Sequence, residues 1–169
     1  MSDSAVSRDE VDRIIESWRE QRPDLDVSPM QIFSRISRLS RHFDLARRAA
    51  FSAHDLEPWA FDVLSSLRRT GDPYCLTPGA LMSELLVSSG TMTNRIDRLE
   101  QQKLVQRVPS VDDRRTVQVR LTELGIQRVD ETLVELVRSE RRLAESLSED
   151  ERQQLAGMLR RLNLAFENH

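Results

Sequence analysis

The side chains best suited to chemistry share one face of a short predicted helix. They recur at the i, i+3, i+4 and i+7 spacing that aligns side chains along a helical face: Thr91, Asn94, Arg95 and Arg98. Hydroxyl, amide and guanidinium groups hydrogen-bond to base edges and phosphates, and arginine presents its donors in a rigid fork. We therefore expect this polar face to bind in a DNA major groove. Three further candidates lie in the same segment: Ser88, Ser89 and Thr93.

A second group of charged side chains occupies a polar turn with the sequence PSVDDRR, residues Pro109–Arg115. The turn lies between two segments with the composition of strands, Leu104–Val108 and Thr116–Leu121. A hairpin with a basic tip would contact phosphates or enter a minor groove. The candidate DNA-binding residues of this tip are Asp113, Arg114 and Arg115.

The segment before this turn has the pattern of two helices joined by a short break. Thr77 is a suitable N-cap for a helix that begins at Pro78, where a missing N–H costs nothing. The sequence Ser88-Ser89-Gly90 interrupts the apolar spacing and allows a second helix to start. The second helix has an apolar face opposite its polar face, formed by Met92, Ile96 and Leu99. Two such helices followed by a hairpin predict a winged helix-turn-helix.

The stretch SGTMTNRIDRLEQQKLVQRVPSVDDRRTVQVRLTELG closely resembles the DNA-binding lobe of MarR-family transcriptional regulators. The D-x-R pattern of the family's wing is present at Asp113–Arg115, and the L-T-x-x-G pattern that follows it is present at Leu121, Thr122 and Gly125. The resemblance implies a mainly α-helical fold with a small β-hairpin wing. It also implies a repressor that binds a pseudo-palindromic operator in double-stranded DNA as a homodimer.

The flanking segments fit a single MarR-like domain over residues 1–169. N-terminal helices are predicted in residues 1–50, the winged helix-turn-helix lobe in 55–122, and C-terminal dimerisation helices in 123–169. The first helix is predicted over Ser7–Gln21, with Ser7 and Glu10 as a capping box. The next helix is predicted to turn its apolar face inward, with Ile32, Ile36, Leu39, Phe43 and Ala46.

The apolar stripes of the C-terminal helices leave two alternatives. They pack against a second copy, which would place the two DNA-binding helices about 34 Å apart. Alternatively, they close the core of a monomer together with the N-terminal helices. The family resemblance favours the dimer.

Composition and charge narrow the class of protein. With 38% hydrophobic and 31% charged residues and no apolar run of about 20 residues, the chain is predicted to be soluble and cytoplasmic. The net charge of −3 argues against indiscriminate nucleic-acid binding. Residues 88–120 nevertheless carry seven basic and four acidic side chains, whereas residues 1–26 carry four basic and eight acidic. The positive charge is therefore concentrated around the predicted DNA-binding residues.

No residue pattern indicates an enzyme, a cofactor or a metal site. The histidines, His42, His54 and His169, lack metal-ligand spacing with the single cysteine, Cys75. The sequence contains no catalytic-triad order, P-loop or dinucleotide-binding glycine pattern. We interpret Cys75 as an ordinary small apolar residue rather than a redox sensor.

The N-terminal segment carries a further resemblance. An acidic helix with Trp18, followed by RPDLD at Arg22–Asp26, is similar to the urate-responsive branch of the family, whose members respond to anionic ligands such as urate or tricarboxylates. This resemblance implies four ligand-binding residues: Trp18, Asp62, Arg95 and Arg107. Tryptophan stacks on planar ligands, arginine binds negative charge, and Asp62 on an apolar helix needs a partner such as Arg95. The alternative is structural, with Trp18 in the core and a salt bridge between Asp62 and Arg95.

Two other functions are compatible with a winged helix. One is a protein–protein docking module, although the basic helix face and the DDRR turn argue against it. The other is a transcriptional regulator that lacks a small-molecule effector or that activates transcription.

Overall fold

The computed structural model describes residues 8–110 and 116–167, and the chain divides into two compact units between Leu45 and Ala46. The helices are α1 (Glu10–Gln21), α2 (Met30–Ser52), α3 (Pro58–Arg69), α4 (Pro78–Leu85), α5 (Ser89–Gln101), α6 (Glu123–Leu143) and α7 (Glu149–Glu167). The strands are β1 (Cys75–Leu76), β2 (Val105–Pro109) and β3 (Val117–Leu121). The predicted fold class, mainly α-helical with a small β wing, is confirmed.

In the first unit, α1 begins later than the sequence predicted. Its N-cap is Asp9, whose carboxylate accepts the Asp12 N–H at 3.0 Å, while Asp12 accepts the Asp9 N–H at 3.0 Å. The predicted capping box of Ser7 and Glu10 is therefore wrong, because Asp9 is the N-cap and Glu10 is the first helical residue rather than the third; Ser7 itself lies outside the described residues. Aspartate is as good an N-cap as serine. In this register α1 buries two of its apolar side chains, Val11 and Ile15.

Two arginines of α2 join the two helices of this unit. Arg35 donates from Nε to Asp9 at 2.8 Å and from Nη2 to Asp12 at 2.7 Å. Arg38 pairs with Glu10 at 2.8 Å. The hydrogen bond from Arg35 lowers the pKa of Asp9 to about 2, so this pair stays ionised at every physiological pH. The acidic helix α1 is thus held along the basic side of α2.

The apolar face of α2 is exposed rather than inward. Ile32 is 51% exposed, and Leu39 and Phe43 are 48% and 43% exposed. Ile36 is exposed as well, so the predicted inward orientation is wrong for these four residues. A helical period identifies an apolar face, but it does not determine which surface covers that face.

The second unit is organised around α3. This helix contacts α4, α5, α6 and the sheet, and five of its apolar side chains are at most 5% exposed. They are Ala60, Phe61, Val63, Leu64 and Leu67. Burying a large apolar side chain contributes about 1.5–3 kcal/mol, so α3 anchors the elements that surround it. The predicted helix-turn-helix is present as α4 and α5, and α4 starts at Pro78 after the Thr77 cap.

The wing is the outer part of a three-stranded antiparallel sheet with the order β1-β3-β2. Val105 lies opposite Leu121, and Pro109 lies opposite Val117. The sequence predicted β2 and β3 within one residue at each end, but it did not predict β1. A strand of two residues is too short to show an alternating pattern.

The wing joins α6 at a tightly packed glycine. Thr122 caps α6 by accepting the Gly125 N–H at 3.0 Å, and its hydroxyl donates to the Lys103 carbonyl at 2.7 Å. A Cβ atom on Gly125 would lie 2.0 Å from the carbonyl oxygen of Leu104. The L-T-x-x-G pattern therefore has a packing cause in this chain, because only glycine lets the start of α6 approach this carbonyl so closely.

We expect Gly125→Ala to destabilise the protein by about 1–3 kcal/mol, because the backbone of Leu104 must move to admit a methyl group. The corresponding fall in Tm is roughly 3–10 °C for a chain of this size. Gly79→Ala is the matched control, since its new Cβ would lie 3.9 Å from the nearest atom, an ordinary contact distance. Thermal denaturation followed by circular dichroism measures both. Equal Tm values for Gly125→Ala and wild type would contradict this packing.

Candidate nucleic-acid interface

The turn between α4 and α5 depends on one residue with unusual backbone geometry. Leu86 has a left-handed φ of 51°, and its side chain is 90% exposed. The Val87 N–H donates to the Met82 carbonyl at 3.3 Å, which closes the end of α4. Ser88 then caps α5, with its hydroxyl accepting the Thr91 N–H at 3.4 Å. The break predicted at Ser88 is therefore confirmed, and α5 is the recognition helix of the helix-turn-helix.

Three buried side chains determine which face of α5 is exposed. Met92 and Leu99 are fully buried, and Ile96 is 1% exposed. Because an α-helix turns by about 100° per residue, the opposite face is directed to solvent. The predicted DNA-binding residues that the structure leaves exposed are Ser88, Ser89, Thr91, Thr93, Asn94 and Arg98. Arg95 is half-buried at the edge of this face.

Trp59, at the start of α3, supports both arginines of the recognition helix. The guanidinium carbon of Arg98 lies 4.7 Å from the centre of the indole ring, and that of Arg95 lies 5.8 Å from it. These are cation–π distances. Glu57 accepts hydrogen bonds from Trp59 Nε1 at 2.7 Å and from Arg98 Nη2 at 2.6 Å. The hydrogen bond from Trp59, followed by that from Arg98, lowers the pKa of Glu57 below its ordinary value, so Glu57 is charged at neutral pH.

The sequence analysis did not identify Glu57 or Trp59 as parts of this interface. Trp59 falls among the apolar residues of α3 and resembles a core residue by spacing alone. The available signal was Pro58, which marks the first turn of a helix and therefore places its neighbours at a helix end rather than in the middle.

Arg107, on β2, pairs with carboxylates on the other flank of α5. Its Nη2 lies 2.5 Å from Asp97, its Nη1 contacts Glu100, and Glu100 also accepts the Arg107 N–H at 3.0 Å. The hydrogen bond to Asp97 is the main cause that raises the pKa of Arg107. Asp97 is two residues, or about 200°, further round the helix than Arg95. Of the two predicted ligand-binding arginines, Arg95 therefore projects from one flank of α5, whereas Arg107 binds carboxylates on the opposite flank.

Asp62 has a different partner from the predicted one. Its carboxylate pairs with Nη2 of Arg47 at 3.3 Å, so the predicted Asp62–Arg95 pair is wrong. The reason lies in the packing of α2 against α3. Phe51 of α2 stacks on Phe61 at 4.6 Å between ring centres, and Arg47 lies 5.4 Å from the Phe51 ring, which brings its guanidinium to Asp62. Arg95 is held by Trp59 instead.

Trp18 is 46% exposed on α1, in the first unit, and the structural alternative that assigned it to the core is wrong. The other three predicted ligand-binding residues belong to the second unit, and each has its own partner there. These partners are Arg47 for Asp62, Trp59 for Arg95, and Asp97 with Glu100 for Arg107.

The predicted residues of the wing tip, Asp113, Arg114 and Arg115, lie outside the described residues. The strands on either side of them are in place, and the Ser110 N–H donates to the Thr116 carbonyl at 2.8 Å. The two strands of the wing are therefore hydrogen-bonded to each other, and the pairing extends to Ser110 and Thr116.

Neither metal-binding nor membrane-spanning features occur in residues 8–110 and 116–167. No group of three potential metal ligands occurs there, and no helix there is long and apolar enough to cross a membrane. Cys75 is half-buried on β1, with its Sγ 3.5 Å from Oε1 of Gln118.

Known proteins share both the sequence and this arrangement of elements. The model for the MarR family matches residues 54–116. The transcriptional regulator PecS of Dickeya dadantii is 38% identical over 160 residues, which cover 95% of this chain and 96% of PecS. The chain belongs to the MarR family. A second family relative, the transcriptional regulator MhqR of Bacillus subtilis, is 30% identical over 80% of this chain and 91% of its own length.

Solved MarR structures have the same fold. A cysteine-to-serine variant of E. coli MarR in complex with operator DNA matches with a TM-score of 0.66 at 27% identity, over 82% of this chain and 99% of MarR. A MarR-family protein from Bacillus stearothermophilus matches with a TM-score of 0.72 at 24% identity, over 85% of this chain and 99% of its own. As a member of the MarR family, the protein is a DNA-binding transcriptional regulator and not an enzyme.

We expect Leu86→Gly to stabilise this MarR-family protein by about 1 kcal/mol, because glycine adopts the left-handed conformation without the steric cost that a Cβ atom imposes. The corresponding rise in Tm is roughly 2–4 °C. Leu86→Ala is the control, since it shortens the exposed side chain but keeps the Cβ atom. The prediction fails if the two variants unfold at the same temperature.

Proposed function

We propose that this MarR-family protein is a cytoplasmic repressor that binds a pseudo-palindromic operator as a homodimer and is released by a small anionic ligand, such as urate or a tricarboxylate. The observation that carries the DNA-binding part is the exposed polar face of α5, whose opposite face is buried. The proposed DNA contacts are Ser88, Ser89, Thr91, Thr93, Asn94, Arg95 and Arg98 of the recognition helix, with Asp113, Arg114 and Arg115 of the wing. The likeness to E. coli MarR in complex with operator DNA supports this assignment.

Fluorescence anisotropy with duplexes tiled across the DNA flanking the gene tests operator binding. We expect one near-palindromic duplex to bind at least about 1000-fold more tightly than a scrambled duplex of equal length.

The variant Asn94→Ala should lose about 1–3 kcal/mol of binding free energy on the operator alone, because an amide contacts base edges. Arg114→Ala should weaken both duplexes and reduce the salt slope by about 1 for each subunit. Gln127→Ala, an exposed amide on α6, is the control.

The same titrations separate this function from protein–protein docking. Binding through phosphates weakens linearly with the logarithm of salt concentration. A docking module would show no saturable binding to any duplex, or binding that does not respond to salt. A promoter fusion in cells with and without the gene decides between repression and activation.

The exposed apolar residues of the C-terminal helices support the proposed homodimer. On α7, four of them follow one stripe and are each at least 39% exposed: Leu155, Met158, Leu159 and Phe166. A soluble chain rarely leaves such a continuous apolar stripe uncovered. A second copy related by two-fold symmetry would cover the same face of both chains and supply two recognition helices about 34 Å apart.

Substituting Met158 by glutamate should convert the dimer into a monomer, because a charge in an apolar interface loses its hydration. Light scattering should give the mass of one 19.6 kDa chain for this variant and twice that mass for wild type. Gln153→Glu introduces the same charge about 160° around α7 from Leu155 and should leave the dimer intact. A monomeric wild-type protein at micromolar concentration would refute the homodimer.

The proposed ligand contacts are Trp18, Asp62, Arg95 and Arg107. The exposed indole of Trp18 is available to stack on a planar ligand. An anion that attracts Arg95 and Arg107 would compete with Trp59 on one flank of α5 and with Asp97 and Glu100 on the other. Both contacts hold side chains at the recognition helix, so their loss would lower DNA affinity. An anion beside Asp62 would also be repelled by its carboxylate unless Arg47 neutralises it.

Adding urate, citrate or aconitate to the operator complex tests this part. We expect one of them to weaken operator binding of the wild-type protein by about tenfold or more, and Trp18→Ala to lose most of that response. Leu25→Ala removes an exposed apolar side chain from the same unit and should respond like wild type. Full ligand sensitivity of Trp18→Ala would exclude Trp18 from the site. If none of these ligands weakens tight operator binding, the protein is a regulator that lacks this class of effector.

A further inference from the structure

The Glu57 side chain does not cap the helix that it precedes. Glu57 is the N-cap residue of α3, yet its carboxylate makes no capping hydrogen bond. Carboxylates at this position ordinarily accept backbone N–H groups and interact favourably with the helix dipole. Here the two oxygens accept Trp59 Nε1 at 2.7 Å and Arg98 Nη2 at 2.6 Å. The carboxylate therefore binds one side chain of α3 and one of the recognition helix, and not the backbone N–H groups of α3.

The Glu57–Arg98 pair is accessible to DNA. The side chains of Arg98 and Glu57 are 47% and 57% exposed, and Arg98 lies on the polar face of α5. A phosphate that approaches Arg98 therefore meets a carboxylate beside the guanidinium. Because attraction to phosphates supplies nearly all non-specific binding, a neutralised arginine contributes much less to it than a free one.

We propose that Glu57 is a specificity-determining residue: by neutralising Arg98, it suppresses binding to non-cognate DNA and leaves operator recognition largely intact. This inference rests on the proposed function of α5 in contacting DNA. Arg98 has five N–H donors, and the bond to Glu57 uses one of them. Within the described residues the other donors have no hydrogen-bond partner, so they can bind a base edge or a phosphate at the operator, where several directional contacts form together. A random sequence offers only the phosphate charge, which Glu57 offsets.

Trp59 is the positioning residue of this pair. Its ring holds the Arg98 guanidinium by a cation–π contact, and its N–H orients the carboxylate that pairs with Arg98. The arginine therefore meets DNA in a restricted set of conformations, which reduces the side-chain entropy lost on binding.

The second flank of the recognition helix is neutralised in the same way. Arg107 pairs with Asp97 and Glu100, so two arginines beside the DNA-binding face each have a carboxylate partner. This pairing agrees with a net charge of −3 in a DNA-binding chain. Sequence-specific contacts, rather than excess positive charge, must then supply much of the operator affinity.

The test compares wild type, Glu57→Gln, Arg98→Ala and the double variant on the operator and on a scrambled duplex, over a series of salt concentrations. We expect Glu57→Gln to bind the scrambled duplex several-fold more tightly at low salt, with a salt slope steeper by about 0.9 for each subunit in contact. Operator affinity should change less, so that the ratio of the two affinities falls. In the Arg98→Ala background, Glu57→Gln should have no further effect, because Glu57 acts through Arg98.

Glu149→Gln is the matched control, since it also removes one carboxylate from an exposed glutamate–arginine pair, 3.2 Å from Arg152 on α7. An equal effect of Glu57→Gln and Glu149→Gln would overturn the inference, as would an effect of Glu57→Gln that persists without Arg98. If Glu57→Gln melts early, Glu57→Asp tests the contact by itself, because the shorter side chain keeps the charge but loses its hydrogen bond to Arg98. Wild-type protein with no preference for any duplex would overturn the proposed function as well. A preference that Glu57→Gln leaves unchanged would overturn this inference alone.

Discussion

The rotation of α5 about its own axis is the constraint on which the DNA-binding surface depends. Met92, Ile96 and Leu99 are buried against the core around α3, and each contributes about 1.5–3 kcal/mol through that burial. Turning the helix by even one residue would expose this stripe and bury amides, hydroxyls and guanidinium groups in its place. The polar face of the recognition helix is therefore directed outward by packing on the opposite side, and not by contacts of its own.

Salt bridges then determine how the charged residues of that surface are presented. Exposed ion pairs contribute about 0–1 kcal/mol to stability, so the pairs beside α5 matter little for holding the fold together. Instead, these ion pairs determine where the arginine side chains lie and how much of their positive charge is neutralised. Arg98 is held on the Trp59 ring and neutralised by Glu57, while Arg107 connects β2 to the opposite flank of α5. A ligand or a DNA phosphate that approaches either arginine therefore meets a guanidinium that already has a carboxylate partner.

The wing and the C-terminal helices are joined without a flexible link. β3 ends at Leu121, Thr122 caps α6, and Gly125 lets the first turn of α6 approach the Leu104 carbonyl. Any shift of the start of α6 must therefore move the strand that precedes it or open this contact. In the proposed dimer, the same helix would lie near the second subunit, so it would connect the wing to the dimer interface.

The sequence by itself determined the local elements and the chemistry of the recognition helix. Capping residues and periodicity located α4, α5 and the two longer strands, because these signals act over a few neighbouring residues. The tertiary structure decided which side chains pair with one another and which surfaces are covered. It paired Asp62 with Arg47 rather than Arg95, exposed the apolar face of α2, added β1 and brought Glu57 and Trp59 to Arg98. Glu57 and Arg98 are 41 residues apart, and Cys75 and Arg120 of the sheet are separated by a similar stretch of chain. Contacts between residues so far apart in the sequence depend on how whole elements pack, so they cannot be predicted from a pattern of adjacent residues.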